Sequence, residues 1–302
     1  MTVVTIVIVM TVVDSRFWRL NQNRLNCVRL FQYDRHAVTI VTGFMETCTP
    51  GYSEVAAAFM ARRRLDPNGA FFLPHLKPGI SVLDCGCGPG TITRDIARQV
   101  LPGRVSGVDF SANQVALATR EAKAQGIANA EFRQGSVYEL PFADNSFDAA
   151  FSHALLEHLK EPVRAAIELK RVLKPGGVLG VCTPDWGGFL LALPSEELLL
   201  AFEAYKAMQN RNGGDAYCGH KLGLYLNAAG FEALVMRSRY ENYDPLTTIG
   251  DFLAMNHEEA GEPSHASTWR AWGCRPNGMF SQAWVSCIGR KPATAAHEGT
   301  RG

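Results

Sequence analysis

Ile80-Ser81-Val82-Leu83-Asp84-Cys85-Gly86-Cys87-Gly88-Pro89-Gly90-Thr91, followed by Ile92-Thr93-Arg94-Asp95-Ile96-Ala97-Arg98-Gln99-Val100, reads as strand, glycine turn and helix. A short apolar run closed by glycine is the pattern of a strand buried in a parallel sheet. Glycine lets the backbone turn tightly and approach a ligand with no side chain in the way. In an open α/β sheet this turn lies beyond the carboxyl end of a strand, where ligands bind. Downstream the alternation repeats. Strands are expected at 103–109, 130–135, 147–152 and 178–182, with helices at 113–125 and 162–173 between them. A helix-then-turn over Lys221–Phe231, a sixth strand at 232–236 and a last one at 280–288 complete the series. Strands spaced by helices imply βαβ units, and so a Rossmann-like, doubly wound, mostly parallel α/β sheet of seven strands.

The glycine spacing narrows the ligand. A phosphate loop ends Gly-Lys-Ser/Thr, and none is present. A dinucleotide fingerprint counted from Gly86 and Gly88 needs Gly or Ala at position 91, where Thr91 stands. The spacing is instead G-x-G-x-G behind Asp84, and Asp109 closes the second strand where a carboxylate accepts from ribose hydroxyls. Asp109 also suits a helix-cap role, as do Ser111 and Asn113.

These residues resemble the class I S-adenosylmethionine-dependent methyltransferases, most closely their small-molecule, type 11 branch. The resemblance covers Lys77 to Gly188, with a fainter echo to Arg290. Val82–Gly90 looks like the family's first motif and Gly107-Val108-Asp109-Phe110-Ser111 like its second. Gly135-Ser136-Val137-Tyr138-Glu139-Leu140-Pro141-Phe142 is similar to the segment bordering the adenine. His153–Leu159 is similar to the helix after the fourth strand, and Leu173–Gly177 to the turn into the fifth. The resemblance implies S-adenosyl-L-methionine as cofactor, contacted by Tyr52, Asp84, Cys85, Gly86, Gly88, Gly90, Asp109, Phe110, Ser136, Val137 and Ser152. The family often carries Asp where Ser136 stands; here a hydroxyl and its neighbouring amide face that task. A sulfonium cofactor has no phosphates, which agrees with a loop free of Lys and Arg.

The expected reaction is methyl transfer to an O, N or C nucleophile of a small, hydrophobic or aromatic metabolite, in which alignment in a dry pocket does most of the work. His153, just past the fourth strand, is the first candidate for a general base, and a cofactor or backbone hydrogen bond is its other role. His158 is the second candidate, more in keeping with pocket lining, and Glu157 reads as a helix-surface carboxylate or a pocket group. Two other functions remain open: an NAD-linked oxidoreductase with a different glycine register, and a non-catalytic cofactor-binding protein of the same fold.

Outside this core, residues 45–78 form an N-terminal helical cap. Ser53 is the expected N-cap of a helix to Leu65, with Arg62, Arg63 and Arg64 loading its last turn. The methyltransferase domain spans 79–290, with lid insertions at about 184–215 and 245–276, and 291–302 is a tail. The second insertion holds Phe252, Met255, His257, Trp269 and Trp272, and serves either as a cover for a planar acceptor or as a satellite core. Residues 1–44 open on a β-branched run too short to span a bilayer and continue with five arginines among aromatics. They read as a disordered or non-native appendage ahead of a start at Met45, or as a basic arm touching nucleic acid or a membrane surface.

Composition bounds the rest. The chain has 302 residues, 30 Lys+Arg against 29 Asp+Glu, and a formal charge of +1. That balance gives no reason to expect nucleic acid as partner. Eight Cys in so long a chain do not make a disulfide scaffold, so a reduced, cytoplasmic protein is expected. Cys48, Cys182, Cys218 and Cys274 match no metal-ligand spacing, and no metal is expected. The sequence leaves monomer and homodimer equally open.

Overall fold

A computed structural model describes residues 47–51 and 53–293, together with the backbone of three two-residue strands nearer the N-terminus. Chain contacts divide the molecule into Met1–Met45 and Glu46–Gly302. In the first unit β1 (Val9–Met10), β2 (Phe31–Gln32) and β3 (Val38–Thr39) form a small antiparallel sheet in the order β1-β3-β2. The remainder of residues 1–44, Tyr52, and the tail after residue 293 lie outside the described residues, and with them the expectations placed there.

The second unit begins with α1 (Glu54–Met60), capped by Ser53 Oγ accepting the Ala56 N–H at 3.2 Å. This helix stops at Met60, short of the expected Leu65, so the three arginines follow it instead of occupying its last turn. Each arginine finds its own use. Arg62 donates to Thr248 Oγ1 and Arg64 forks onto the Asp95 carboxylate at 2.7 and 2.8 Å. Next come α2 (Leu65–Asn68), the 3₁₀ segment Ala70–His75, β4 (Ser81–Cys85), α3 (Thr91–Gln99), β5 (Arg104–Asp109), α4 (Ala112–Ala124), β6 (Ala130–Gln134) and β7 (Phe147–His153). After a 3₁₀ turn at Leu156–His158 the chain forms α5 (Pro162–Val172), β8 (Leu173–Leu191), α6 (Glu196–Arg211), α7 (Cys218–Ala228), β9 (Glu232–Asn242), α8 (Thr247–Glu259), α9 (Pro263–Gly273) and β10 (Phe280–Arg290).

The seven long strands make one sheet in the order β6-β5-β4-β7-β8-β10-β9. β6, β5, β4, β7 and β8 run parallel, and β10 inserts antiparallel between β8 and β9. The strand order reverses between β4 and β7, which leaves a crevice at their carboxyl ends. Alternation of side chains gives the sheet two cores. Leu83, Ala150, Leu179 and Val181 pack with α5 and α7, while Val82, Phe151 and Val178 pack with Phe72 and Ile96 on the other face.

β8 is much longer than the expected 178–182. It pairs with β10 as far as Leu191, with Trp186, Gly187 and Gly188 bulged out opposite Gln282 and Ala283. A bulge bends the strand and re-aims its side chains. Here it turns Trp186 into a third core built from α6, α8 and α9, in which Phe202, Trp269, Trp272 and Phe280 are buried. The 245–276 segment is thus two helices that share this core with α6, and both of its tryptophans are buried in it.

Candidate functional site

Strand β4 delivers Asp84 and the glycine loop to the sheet edge. The Gly86 and Cys87 N–H groups donate to the Val108 carbonyl, so the loop is stitched to the end of β5. Gly86, Gly88 and Gly90 have φ of +76°, +50° and +72°, a region that costs an L side chain. A Cβ on Gly90 would lie 2.8 Å from the Ala118 and Phe132 side chains. One on Gly88 would meet only the Met60 Sδ, at 3.8 Å, so Gly88 borders open space.

Asp109 ends β5 and binds both neighbours. Oδ2 accepts the Gly88 N–H and Oδ1 the Ser111 N–H, each at 2.9 Å. Burial raises its pKa above the usual carboxylate value, against those two hydrogen bonds, which lower it. The cap of α4 is Ser111, which accepts from the Gln114 N–H, leaving Asp109 to the loop. Asp84 is almost fully buried and accepts a 2.6 Å hydrogen bond from Thr93 Oγ1. Burial is the main reason its carboxyl is pushed up to about 7, with Thr93 opposing.

The other expected cofactor residues fall around this edge in different ways. Cys85 is the last residue of β4, and its thiol lies in the sheet core, so only its backbone faces the loop. Phe110 is exposed beside Asp109, and its carbonyl accepts from Gln134 Nε2. The Gly135 N–H bonds the Asp109 main-chain carbonyl, which brings the turn at Ser136 and the buried Val137 to the end of β5. Ser136 Oγ accepts the Tyr138 N–H. Ser152, at the end of β7, is buried with an unpartnered Oγ among the described residues.

His153 is the last residue of β7. Ala154 turns the chain at φ +56°, and Leu155 comes to lie over Gly86. The His153 imidazole stacks on Trp284 at 4.7 Å, and neither ring nitrogen has a partner among the described residues. Burial first, then Arg63 and Arg239, hold its pKa well below the ordinary imidazole range, so it stays neutral. His158 is likewise held low, at about 4, by burial and Arg63.

A small cavity of about 40 Å³, room for a water molecule or two, lies between the sheet and the helices α1, α6 and α8. Six aromatic residues share its walls: Phe59, Trp186, Tyr205, Tyr243, Phe252 and Trp284. Phe59 stacks on Phe252 at 3.8 Å, which closes the roof. Its polar members are Arg63, Glu157, His158, Gln209 and Gln282. Glu157 is not on a helix surface; the 3₁₀ turn carries it inward, where it is 2% exposed. Its Oε2 accepts from Thr183 Oγ1 at 2.7 Å, and Oε1 lies 3.6 Å from His158 Nε2. Burial pushes this carboxyl up to about 7, against Thr183 and Arg63. His158 Nδ1, Gln282 Nε2 and Trp284 Nε1 have no hydrogen-bond partner among the described residues. Buried polar atoms are ordinarily satisfied by protein or by water, and this cavity is of a size for water.

Sequence reasoning passed over Arg63, Gln282 and Trp284. A helix end accounts for an arginine and a buried strand for a tryptophan, and nothing local links residues 63, 157 and 284. The one available signal was Glu157-His158 directly after a strand end.

Residues 83–181 match a family model described as a methyltransferase domain. An uncharacterized methyltransferase of Schizosaccharomyces pombe is 42% identical over 133 residues, covering 42% of this chain and 48% of that protein. A probable methyltransferase of Aspergillus luteorubrus is 36% identical over 147 residues, covering 46% of this chain and 52% of that protein. The chain spans about half the length of these relatives. Among solved structures, the YcgJ protein of Bacillus subtilis superposes with a TM-score of 0.56 at 17% identity, over 74% of this chain and 97% of that one. A putative methyltransferase of Bacillus halodurans gives 0.56 at 19% identity, over 73% and 97%. Those likenesses show the fold, the Rossmann-like seven-stranded α/β sheet expected from the strand spacing.

Proposed function

We propose that this chain, whose residues 83–181 form a methyltransferase domain, methylates a small molecule with S-adenosyl-L-methionine as methyl donor. The observation that carries the reading is Asp109 holding the Gly88 N–H while Gly88 opens onto free space. A carboxylate is thereby fixed beside a groove that any Cβ would fill. The groove suits the cofactor by its donor set. Asp109 takes the ribose hydroxyls, the Ser136–Val137 turn borders the adenine, and the unpartnered Ser152 Oγ offers a hydrogen bond at the end of β7. Asp84, buried with a raised pKa, is the partner for an ammonium group. The bound cofactor supplies a methyl group on a sulfonium, whose loss leaves a neutral thioether. The protein excludes water and lines up the acceptor with the methyl group.

The test is calorimetric titration of the full chain with S-adenosylhomocysteine and, separately, with NAD. Micromolar binding of the homocysteine compound alone is expected; binding of NAD alone would overturn the reading.

A pH dependence follows from Asp84. An ammonium binds the ionised carboxylate, and below about pH 7 most of the free protein carries that carboxyl protonated. Binding then expels a proton, so affinity for S-adenosylhomocysteine is expected to drop by up to about tenfold per pH unit below 7 and to level off above it. Titrations from about pH 5.5 to 8 read this directly, and an affinity independent of pH would remove Asp84 from the site.

A further inference from the structure

The first turn of α3 reaches back to the strand and loop that precede it, and two of its buried side chains hold them. Thr93 Oγ1 donates to Asp84 Oδ2 at 2.6 Å, and Arg94 Nη1 donates to the Pro89 carbonyl at 2.9 Å. We propose that Thr93 is a positioning residue for the cofactor, whose hydroxyl holds the Asp84 carboxylate in place and in its ionised form to receive the ammonium group. The inference rests on the cofactor reading of the same groove.

Three observations carry it. First, Thr93 is fully buried, and its hydroxyl bonds outside its own helix. A threonine inside a helix ordinarily returns its hydroxyl to a main-chain carbonyl one turn back, so this bond to a side chain of β4 is a specific contact. Second, 2.6 Å is the length of a charge-assisted O–H···O⁻ bond, and a donating hydroxyl favours the charged form of its acceptor. Third, Thr93 acts alone in that direction among the described residues. Burial and the neighbouring Asp109 carboxylate both disfavour charge on Asp84, and Thr93 opposes them. The other titratable groups facing Asp84 are the Cys85 thiol on β4 and the Cys87 thiol of the loop, and burial keeps both protonated. In register beside Asp84 lie Gly107 of β5 and Phe151 of β7, which do not titrate.

Without the hydroxyl, the Asp84 pKa should rise above its present value of about 7, and the ammonium would meet a protonated partner over a wider pH range. Stability responds in the same sense. A buried carboxyl raised to about 7 weakens the fold as pH climbs from the ordinary carboxylate range to 7. Raising it further extends that loss to higher pH.

The variant is Thr93→Val, which keeps the shape and removes the hydroxyl. The full chain is titrated with S-adenosylhomocysteine from about pH 5.5 to about 8.5. The pH below which affinity falls should rise by about one unit, so that the variant binds about fivefold more weakly at about pH 7 and approaches wild type at about pH 8.5. Thr93→Ser restores the donor and should return the wild-type profile. The probe 5′-methylthioadenosine has the nucleoside and the thioether but no ammonium, and Thr93→Val should bind it as the wild-type chain does. Thermal melts read the fold separately. The deficit of Thr93→Val should grow between about pH 6 and about pH 8, whereas a loss of packing alone would be the same at both. An unmoved profile overturns the proposal. So does an equal loss of affinity for 5′-methylthioadenosine, a Thr93→Ser profile like that of Thr93→Val, a melting deficit independent of pH, or a Thr93→Val chain that fails to fold at about pH 6 as well as at about pH 8. Failure of S-adenosylhomocysteine to bind the wild-type chain would instead bring down the cofactor reading beneath it.

Discussion

Asp109→Ala is expected to bind S-adenosylhomocysteine about 10- to 100-fold more weakly than the wild-type chain while remaining folded. Each charge-assisted hydrogen bond from a ribose hydroxyl contributes about 1.5–3 kcal/mol, and about 1.4 kcal/mol is tenfold in affinity. The structure adds a second route to the same loss. Asp109 also accepts the Gly88 and Ser111 N–H groups, so removing it frees the glycine loop from the end of β5. Asp109→Asn keeps an acceptor for one amide but loses the charge, and should fall between the two. The fold survives because the loop remains stitched through the Gly86 and Cys87 amides to Val108, and β4 and β5 keep their full pairing. Calorimetric affinity together with a thermal melt checks this result. Wild-type affinity in Asp109→Ala would end the ribose assignment.

The second large effect separates two glycines two residues apart. Gly90→Ala puts a methyl 2.8 Å from the Ala118 and Phe132 side chains at a φ of +72°. The left-handed backbone costs about 1–2 kcal/mol and overpacking about 1–3 kcal/mol more. The melting temperature should fall by about 5–15 °C for a unit of this size. Gly88→Ala carries a similar backbone cost, but its methyl meets only the Met60 Sδ at 3.8 Å. Its melt should shift by less than half as much, whereas its affinity for S-adenosylhomocysteine should drop at least about tenfold, because the methyl stands in the groove. Equal melts, or a Gly88→Ala variant with undiminished affinity, would mean that the groove holds no ligand at Gly88.

Local chemistry made the parallel half of the sheet legible. Val82–Cys85, Val105–Asp109 and Phe147–His153 carry their signals in runs of a few residues, and the glycines that turn the chain sit beside them. Helix ends were less legible. Ser53 is the cap it promised to be, yet α1 stops at Met60 because Arg64 and Arg62 are drawn to Asp95 and Thr248, residues far away in the chain.

The long β8 was foreshortened for a similar reason. Gly187 and Gly188 read as a break, and only the pairing of Phe189–Leu191 with Phe280–Gln282 carries the strand past the bulge.

The proposed cofactor groove was thus written in the sequence. One βα turn and the next strand end supply the glycine loop, Asp84 and Asp109 within 26 residues of one another, and such short-range patterns survive any arrangement of the rest. The aromatic-walled cavity was decided by tertiary structure alone. Arg63, Glu157 and Trp284 are separated by 94 and 127 residues, and they meet only because α1 folds down over the sheet and β10 inserts between β8 and β9. Burial pushes the Glu157 carboxyl up to about 7, and it keeps His153 neutral. The identities of those side chains are in the sequence; their protonation is set by desolvation, which exists only once the chain has packed around them.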